Sequence, residues 1–253
     1  MLQRLLGKSP SQRAQAYQRG IARRYAANRE GWDAHRARTK GEILRFVEEE
    51  GLGELAVLGS GCLLDVPMDE LRERGVSLRL YDYAHPPQII QRYADAPDVH
   101  FETVDMTGGV MGVFAPGAPS PIRVVDYISG LHPPDLGLKP TCGVVSVNLL
   151  SQLPYPLIER YGQALPPADM LRARELLQQS HLDLLRRQGR AMLITDVEEL
   201  HYGLASGEEL ERVPTVYTPP GLDSEWVWPF DGDGSYAHGR RVNLRVVSWR
   251  CAQ

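Results

Sequence analysis

The chain has 253 residues, of which 43% are hydrophobic and 24% are charged, and its formal net charge is −4 at pH 7. These values are typical of a water-soluble globular protein with one large domain. No segment reaches the roughly 18 apolar residues that a membrane-spanning helix needs, and no apolar signal-peptide core follows the first methionine. The three cysteines, Cys62, Cys142 and Cys251, are far apart and fit no zinc-binding spacing. We therefore expect a cytoplasmic protein with no membrane partner and no metal site.

The charge is unevenly distributed along the chain. Residues 1–40 hold ten of the 28 basic residues and two of the 32 acidic ones, so this arm carries +8 and the remainder carries −12. Such an arm can contact RNA, an acidic partner or the acidic body of its own chain. Because the basic residues are scattered, we expect a helix face docked on the domain and consider a nucleic-acid partner the weaker alternative. The oligomeric state is left open.

Two helices are predicted before the first strand. Ala14, Tyr17 and Ile21 recur at helical spacing, which predicts a helix over residues 11–29. Thr39 followed by Glu42 has the form of a capping box, which predicts that a second helix begins at Thr39 and ends at Gly51 or Gly53. Residues 1–53 are therefore expected to form a helical extension, or lid, on a domain that spans residues 54–253.

Strands and helices then alternate along the chain. Short apolar runs that end in Gly, Asp or Asn predict strands at 55–58, 77–81, 99–104, 143–147 and 191–197. Helices are predicted at 67–75, 86–93 and 168–188. Residues 106–141 are expected to be an irregular connection with a short helix, and two β-rich segments, 226–230 and 242–249, are expected to form an antiparallel pair. The pattern predicts an α/β, Rossmann-like fold: a mostly parallel sheet with an antiparallel C-terminal strand and helices on both faces.

Polar or small residues follow the first four of these strands, where open α/β sheets bind their ligands. Gly59, Ser60 and Gly61 follow the first strand, and the missing side chains let a ligand approach the backbone. Asp82 lies 23 residues after Gly59, a distance at which an acid can accept hydrogen bonds from ribose hydroxyls. Asp105 closes the third strand and Asn148 closes the fourth.

These residues stand in four segments, LAVLGSGCLLDVP, RLYDYAHP, ETVDMTG and VVSVNLLSQLPY, which together resemble the class I S-adenosylmethionine-dependent methyltransferases. The resemblance covers about residues 55–155 in order and 190–250 more loosely. It implies S-adenosylmethionine as cofactor and methyl transfer to a small-molecule acceptor. The cofactor-binding residues that it implies are Gly59, Ser60, Gly61, Asp82, Tyr83, Asp105, Met106 and Asn148.

Further residues are candidates for the substrate pocket, although no catalytic residue is identified. In such folds the N-terminal helices often cover the site, which makes Tyr25, Trp32 and His35 lid contacts by resemblance. Asp196, His201 and Tyr202 follow the fifth strand and are expected to line the pocket, where His201 could act as a general base. No hydrolase triad or zinc motif is present.

Two positions depart from the resembled pattern. Val57 stands where the methyltransferases usually carry an acid, and Leu63 stands where they usually carry a third glycine. These departures favour one alternative function, a non-catalytic binding or scaffold protein that keeps the fold. The basic arm suggests a second alternative, a methyltransferase that acts on RNA or protein.

Overall fold

The structure is a computed structural model that describes residues 9–216 and 221–251. The first eight residues of the basic arm and the last two of the chain lie outside this part. The helices are α1 (Pro10–Ala27), α2 (Arg29–Glu50), α3 (Met68–Glu73), α4 (Pro87–Arg92), α5 (Val124–Ser129), α6 (Tyr155–Tyr161) and α7 (Pro167–Arg187). The strands are β1 (Glu54–Leu58), β2 (Ser77–Asp82), β3 (Val99–Thr103), β4 (Gly143–Val147), β5 (Ala191–Gly203), β6 (Glu209–Pro214), β7 (Ser224–Asp231) and β8 (Arg240–Cys251).

The first two helices are capped differently from the sequence-based expectation. A capping box does occur, but at the start of α1, where Ser9 and Gln12 exchange side-chain and backbone hydrogen bonds. The prediction that a helix begins at Thr39 is wrong, because α2 begins at Arg29 and Thr39 lies inside it, fully buried. Gly51 ends α2 in the left-handed conformation, with φ of 61°.

One sheet of eight strands organises the chain. Its order is β3-β2-β1-β4-β5-β8-β7, and β6 pairs with β5 off this path. Strands β1 to β5 are parallel, and β8 is antiparallel to both β5 and β7. The strand order therefore reverses between β1 and β4. The predicted Rossmann-like fold class is confirmed. The expected antiparallel pair is present as β7 and β8, and β6 is a third antiparallel strand.

The fifth strand is longer than predicted. Its first residues pair with β4 as far as Ile194, and the strand then continues to Gly203, beyond the carboxyl edge of the parallel sheet. This extension pairs on one side with β6, a strand that the sequence analysis missed, and on the other with β8. The extension forms a wall that rises above the edge at which ligands are expected.

Apolar side chains cover both faces of the sheet. On one face Ala56, Leu58 and Leu193 pack against α5, α6 and α7. On the other face Val57 and Met192 pack against α2, α3 and the β7–β8 pair. Helix α2 belongs to this second core through its fully buried side chains: Trp32, Ile43 and Phe46. Among the helices that the structure describes, none combines the length and apolar composition needed to span a lipid bilayer.

Trp32 fixes the corner between α1 and α2 onto β7. Its indole lies edge-on to Trp228 at 4.6 Å between centroids and stacks on Phe230 at 5.5 Å, and its N–H donates to the Phe230 carbonyl at 2.9 Å. Edge-on and stacked contacts of this kind stabilise beyond the apolar area that they bury.

We expect Trp32→Ala to lower the free energy of unfolding by about 3 to 5 kcal/mol, because it removes a fully buried aromatic side chain and leaves a cavity. Trp32→Phe keeps a ring but loses the N–H donor, and we expect it to cost less than half as much. Urea unfolding monitored by circular dichroism measures both. A loss below 1 kcal/mol for the alanine variant would show that α2 contributes little to the core.

Candidate functional site

The carboxyl edge of the parallel strands gathers the glycine turn and two of the candidate polar residues. Gly59 follows β1 and its N–H donates to the Tyr81 carbonyl at 2.9 Å, which ties the glycine turn to the end of β2. Asp82 ends β2 and Asn148 follows β4. Because the strand order reverses between β1 and β4, this is the crevice in which open α/β sheets bind ligands.

Asp82 and Gly61 are in direct contact, and a side chain from α1 covers them. The Asp82 carboxylate accepts from the Gly61 N–H at 2.9 Å and from the Ala84 N–H at 3.2 Å. The amide nitrogen of Gln18 lies 3.5 Å from both Asp82 oxygens. A Cβ built on Gly61 would lie 2.9 Å from Gln18 Oε1, so Gln18 occupies the space above the glycine. Burial raises the pKa of Asp82, against the opposing effect of these hydrogen bonds.

The backbone of the glycine turn explains its unusual residues. Gly59 has φ of 80°, and a Cβ there would lie 2.9 Å from the Cβ of Leu149. Leu63 also has a positive φ, 57°, at the position where the resemblance predicts glycine. A leucine in this conformation costs on the order of 1 kcal/mol. Val57 is fully buried under α2, where it packs in the second core.

Ser60 and His85 form a buried pair beneath the turn. Ser60 Oγ lies 3.0 Å from His85 Nε2, and the His85 ring packs edge-on against Phe101. Burial lowers the pKa of His85 to about 4, so the ring is neutral at neutral pH. The sequence analysis did not single out His85, and this contact was missed.

Asp105 is engaged within its own loop. One carboxylate oxygen accepts from the Thr107 N–H at 3.0 Å and from the Thr107 hydroxyl, and the other accepts from the Met111 N–H at 3.2 Å. Met106 is buried beside it, and Tyr83 is half-buried. The Asp105 carboxylate therefore holds the start of the long β3–β4 connection.

Asn148 and His35, predicted for different roles, lie in one buried cluster with Asp65. Asn148 Nδ2 is 3.0 Å from Asp65 Oδ2 and 3.2 Å from His35 Nε2. On its other side His35 Nδ1 accepts from the Trp226 indole N–H at 3.1 Å. Asn148 has a left-handed backbone, with φ of 49°, a conformation that asparagine adopts more readily than most residues.

The cluster contains unpaired acceptors. Within the described residues, Oδ1 of Asp65 and Oδ1 of Asn148 have no hydrogen-bond partner, and both atoms are shielded from solvent. Burial raises the pKa of Asp65 from 3.8 to about 6, and lowers the pKa of His35 to about 3. Apart from neutral His35 at 3.9 Å, no basic side chain in the described part of the chain forms an ion pair with Asp65.

Two of the three predicted lid residues, Tyr25 and Trp32, are neighbours in the structure. Their ring centroids are 6.0 Å apart, and the Tyr25 hydroxyl accepts from Arg36 at 2.7 Å. Both rings contribute to the corner that α1 and α2 form on β7. Tyr25 therefore lies on the side of α1 that faces α2.

The three candidate pocket residues on β5 each contact a different partner. Asp196 accepts from the Ser151 hydroxyl, His201 Nε2 lies 2.8 Å from Glu199 Oε2, and Tyr202 lies under the Arg241 guanidinium. Glu199 also accepts from the Tyr236 hydroxyl at 2.7 Å. The Tyr236 hydroxyl is also 2.9 Å from the Tyr155 hydroxyl. The Tyr155 side chain is partly exposed.

Several residues of the site escaped the sequence analysis. Gln18 is an ordinary residue of an amphipathic helix, and Glu199 and Tyr236 are 37 positions apart, so nothing local marks them. Asp65 does carry a signal, since it stands in the segment that contains the glycine turn.

Comparisons with known proteins leave the family open. No protein-family model matches the chain, and no curated protein matches it. Among solved structures, it is similar to the Burkholderia thailandensis 1,6-didemethyltoxoflavin-N1-methyltransferase with bound 1,6-didemethyltoxoflavin and S-adenosylhomocysteine. The identity is 12%, the match covers 97% of this chain and 92% of that one, and the TM-score is 0.43. A match this distant carries no argument about function, and the fold class stands on the strand order.

The raised pKa of Asp65 predicts a stability change with pH. A carboxyl whose folded pKa is about 6 favours the folded state below pH 3.8 and loses that contribution as the pH rises to about 6. Asp65→Asn removes this ionisation, so we expect the variant to gain about 2 to 3 kcal/mol relative to the wild type between pH 4 and pH 7. Urea unfolding of both proteins at the two pH values measures the difference. A pH-independent difference would show that Asp65 titrates normally.

Proposed function

We propose that the protein binds S-adenosylmethionine at the carboxyl edge of the sheet and transfers its methyl group to a small-molecule acceptor. The observation that carries this proposal is the contact between Asp82 and Gly61 beside the point where the strand order reverses. A carboxylate at the end of β2 next to a glycine turn at the end of β1 suits an adenosyl ligand, because it offers two acceptors to a ribose diol.

The residues present fit such a cofactor once Gln18 moves. The atoms nearest to a Cβ on Gly61 belong to the end of the flexible Gln18 side chain, so the space above the glycine can be vacated. Gln18 Nε2 lies 3.5 Å from Asp82 Oδ1, which is long for a hydrogen bond. Ribose hydroxyls can replace this weak contact. Ser60 lies within the same turn, and Asn148 follows β4, the strand next to β1.

The bound sulfonium supplies the methyl group, and the chain's task is to orient the acceptor and exclude water. Helix α1 suits the second task because it lies across the edge. Arg13 and Tyr17 of α1 both bond to Glu159 of α6, and the Arg13 guanidinium lies 4.0 Å above the Phe114 ring. On the acceptor side we propose the wall formed by β5, which carries Glu199 and His201, together with Tyr155 at the start of α6.

A scaffold protein without a cofactor is the second candidate. It is favoured by the position of Gln18 over Gly61 and by the internal hydrogen bonds of Asp105. Action on RNA or protein has less support, because several bases of the arm pair within the chain. Arg13 pairs with Glu159, Arg36 with Asp33 and Arg38 with Glu42.

Asp82→Ala is expected to weaken binding of S-adenosylhomocysteine by one to two orders of magnitude, since about 1.5 to 3 kcal/mol is lost with a charge-assisted hydrogen bond. It is also expected to lower stability by about 1 kcal/mol, because the Gly61 and Ala84 N–H groups lose their acceptor. Asp82→Asn keeps one acceptor oxygen and should be milder on both counts. Calorimetry and thermal unfolding measure the two effects.

Asp98→Asn is the matched control, because Asp98 precedes β3 at the opposite edge of the sheet and pairs with Arg72. It should leave the affinity unchanged. If Asp82→Ala loses stability but keeps full affinity, Asp82 has a structural role only. If neither S-adenosylmethionine nor S-adenosylhomocysteine shifts the melting temperature of the wild type at millimolar concentration, the methyltransferase hypothesis is wrong and the scaffold hypothesis replaces it.

Removing the Gln18 side chain should strengthen cofactor binding. Gln18→Ala frees the space above Gly61 and removes the amide nitrogen near Asp82, so we expect a three- to tenfold gain in affinity, or about 1 kcal/mol. Arg19→Ala, at an exposed position of the same helix, controls for the change in helix propensity. Weaker binding in Gln18→Ala would mean that Gln18 contacts the ligand instead of competing with it.

A further inference from the structure

The position of the proton on His35 is fixed by its neighbours. The ring is 1% exposed and its pKa is lowered to about 3, so it is neutral near pH 7. The Trp226 indole N–H can only donate, so His35 Nδ1 must be the acceptor of the 3.1 Å hydrogen bond between them. The single proton of the neutral ring therefore lies on Nε2.

This assignment determines the orientation of the Asn148 amide. With Nδ2 at 3.2 Å from His35 Nε2, two donors face each other and no hydrogen bond forms. A half-turn of the amide places Oδ1 there instead, where it accepts from His35. The same oxygen then faces Asp65 Oδ2 at 3.0 Å, and that contact is a hydrogen bond only when Asp65 carries a proton. This orientation of the amide therefore accompanies the neutral acid, which the empty site holds below the Asp65 pKa of about 6.

The charges around Asp65 agree with this state. Helix α2 presents neutral His35, together with Arg36 and Lys40, which lower the pKa of Asp65 less than burial raises it. The Arg36 guanidinium bonds instead to the Leu64 carbonyl at 2.9 Å, to Tyr25 and to Asp33. Cys62 follows the glycine turn and its raised pKa keeps the thiol neutral, and Asn148, which follows β4, is uncharged.

Asp65 is therefore an acid that a proton neutralises below pH 6, and its half-buried side chain lies at the crevice where ligands of this fold bind. A positively charged group can take the place of that proton. The net charge of the buried site is unchanged by the exchange, because a carboxylate with an ammonium replaces a neutral acid. In the exchanged state Asn148 has the other orientation, in which Nδ2 donates to Asp65 Oδ2 and His35 Nε2–H faces Thr39 Oγ1 at 3.5 Å. In that orientation Oδ1 of Asp65 and Oδ1 of Asn148 are the acceptors without a partner among the described residues.

We propose that Asp65 and Asn148 form a binding site for an alkylammonium group, which enters in exchange for a proton released from Asp65 to solvent. The two acceptor atoms without a partner among the described residues, Oδ1 of Asp65 and Oδ1 of Asn148, receive the N–H groups of this ligand. The inference rests on the proposed function, because the adenosyl cofactor carries an α-ammonium on its amino-acid end. Asp65 then supplies the carboxylate that the methyltransferases usually carry at the position of Val57.

Proton release on binding tests the exchange directly. We compare S-adenosylhomocysteine with 5′-methylthioadenosine, which keeps the adenosine but lacks the amino-acid end, by calorimetry at pH 5.5 in two buffers of different ionisation enthalpy. With a pKa of about 6 in the empty site, S-adenosylhomocysteine should release about 0.8 proton. Methylthioadenosine should release none. The wild-type affinity for S-adenosylhomocysteine should be about tenfold weaker at pH 5 than at pH 7.

Asp65→Asn is the matched variant, because its amide N–H replaces the acid proton toward Asn148 and preserves the empty-site network. We expect it to bind methylthioadenosine as the wild type does, to bind S-adenosylhomocysteine at least tenfold more weakly at pH 7, and to release no proton with either. Asp82→Asn should lose affinity for both ligands equally, since both carry the ribose.

The outcomes separate the two proposals. If S-adenosylhomocysteine binds without proton release, or binds Asp65→Asn as tightly as the wild type, the ammonium site is wrong and the proposed function stands. If proton release is equal for the two ligands, it arises at the ribose end and the ammonium site is again wrong. If S-adenosylhomocysteine does not bind the wild type at all, both proposals are wrong.

Discussion

The arrangement of side chains at the carboxyl edge of the sheet depends on the stacking of His35 on Trp228. The two rings lie 3.7 Å apart at an angle of 6° and join α2 to β7 across 193 positions of sequence. Because His35 is held there, its second nitrogen reaches Asn148, and Asn148 in turn reaches Asp65. A shift of α2 away from β7 would expose this cluster to water and remove the support beneath α1.

Much of the carboxyl edge is paired with the chain's own groups before any ligand arrives. Gln18 lies against Asp82, Thr107 donates to Asp105, and below pH 6 a proton neutralises Asp65. A ligand must exchange these contacts for its own, so its affinity reflects a difference between two sets of hydrogen bonds. Such exchange makes binding sensitive to pH and to the position of α1, and it ties the conformation of the N-terminal helices to whether the site is filled.

The sequence predicted what local periodicity and turn chemistry determine, and little that depends on distant contacts. Strands β1 to β4 and their polar end residues are where the alternation placed them, because buried parallel strands leave a strong apolar signal. The start of α2 was wrong because Thr39 has a capping motif but faces His35 in the core, where tertiary contacts decide. The contact between Gln18 and Asp82 spans 64 positions, and no local pattern encodes it.

Strand β6 has a further consequence, for self-association. Within residues 9–216 and 221–251 it pairs with β5 alone, so its other side presents backbone groups on which a strand of a second molecule could add. Five of its six residues are exposed, and they include Glu209, Glu211, Arg212 and the terminal Pro214. Charged side chains and proline disfavour edge-to-edge pairing. The long wall above the site is thus built with an outer strand that resists aggregation.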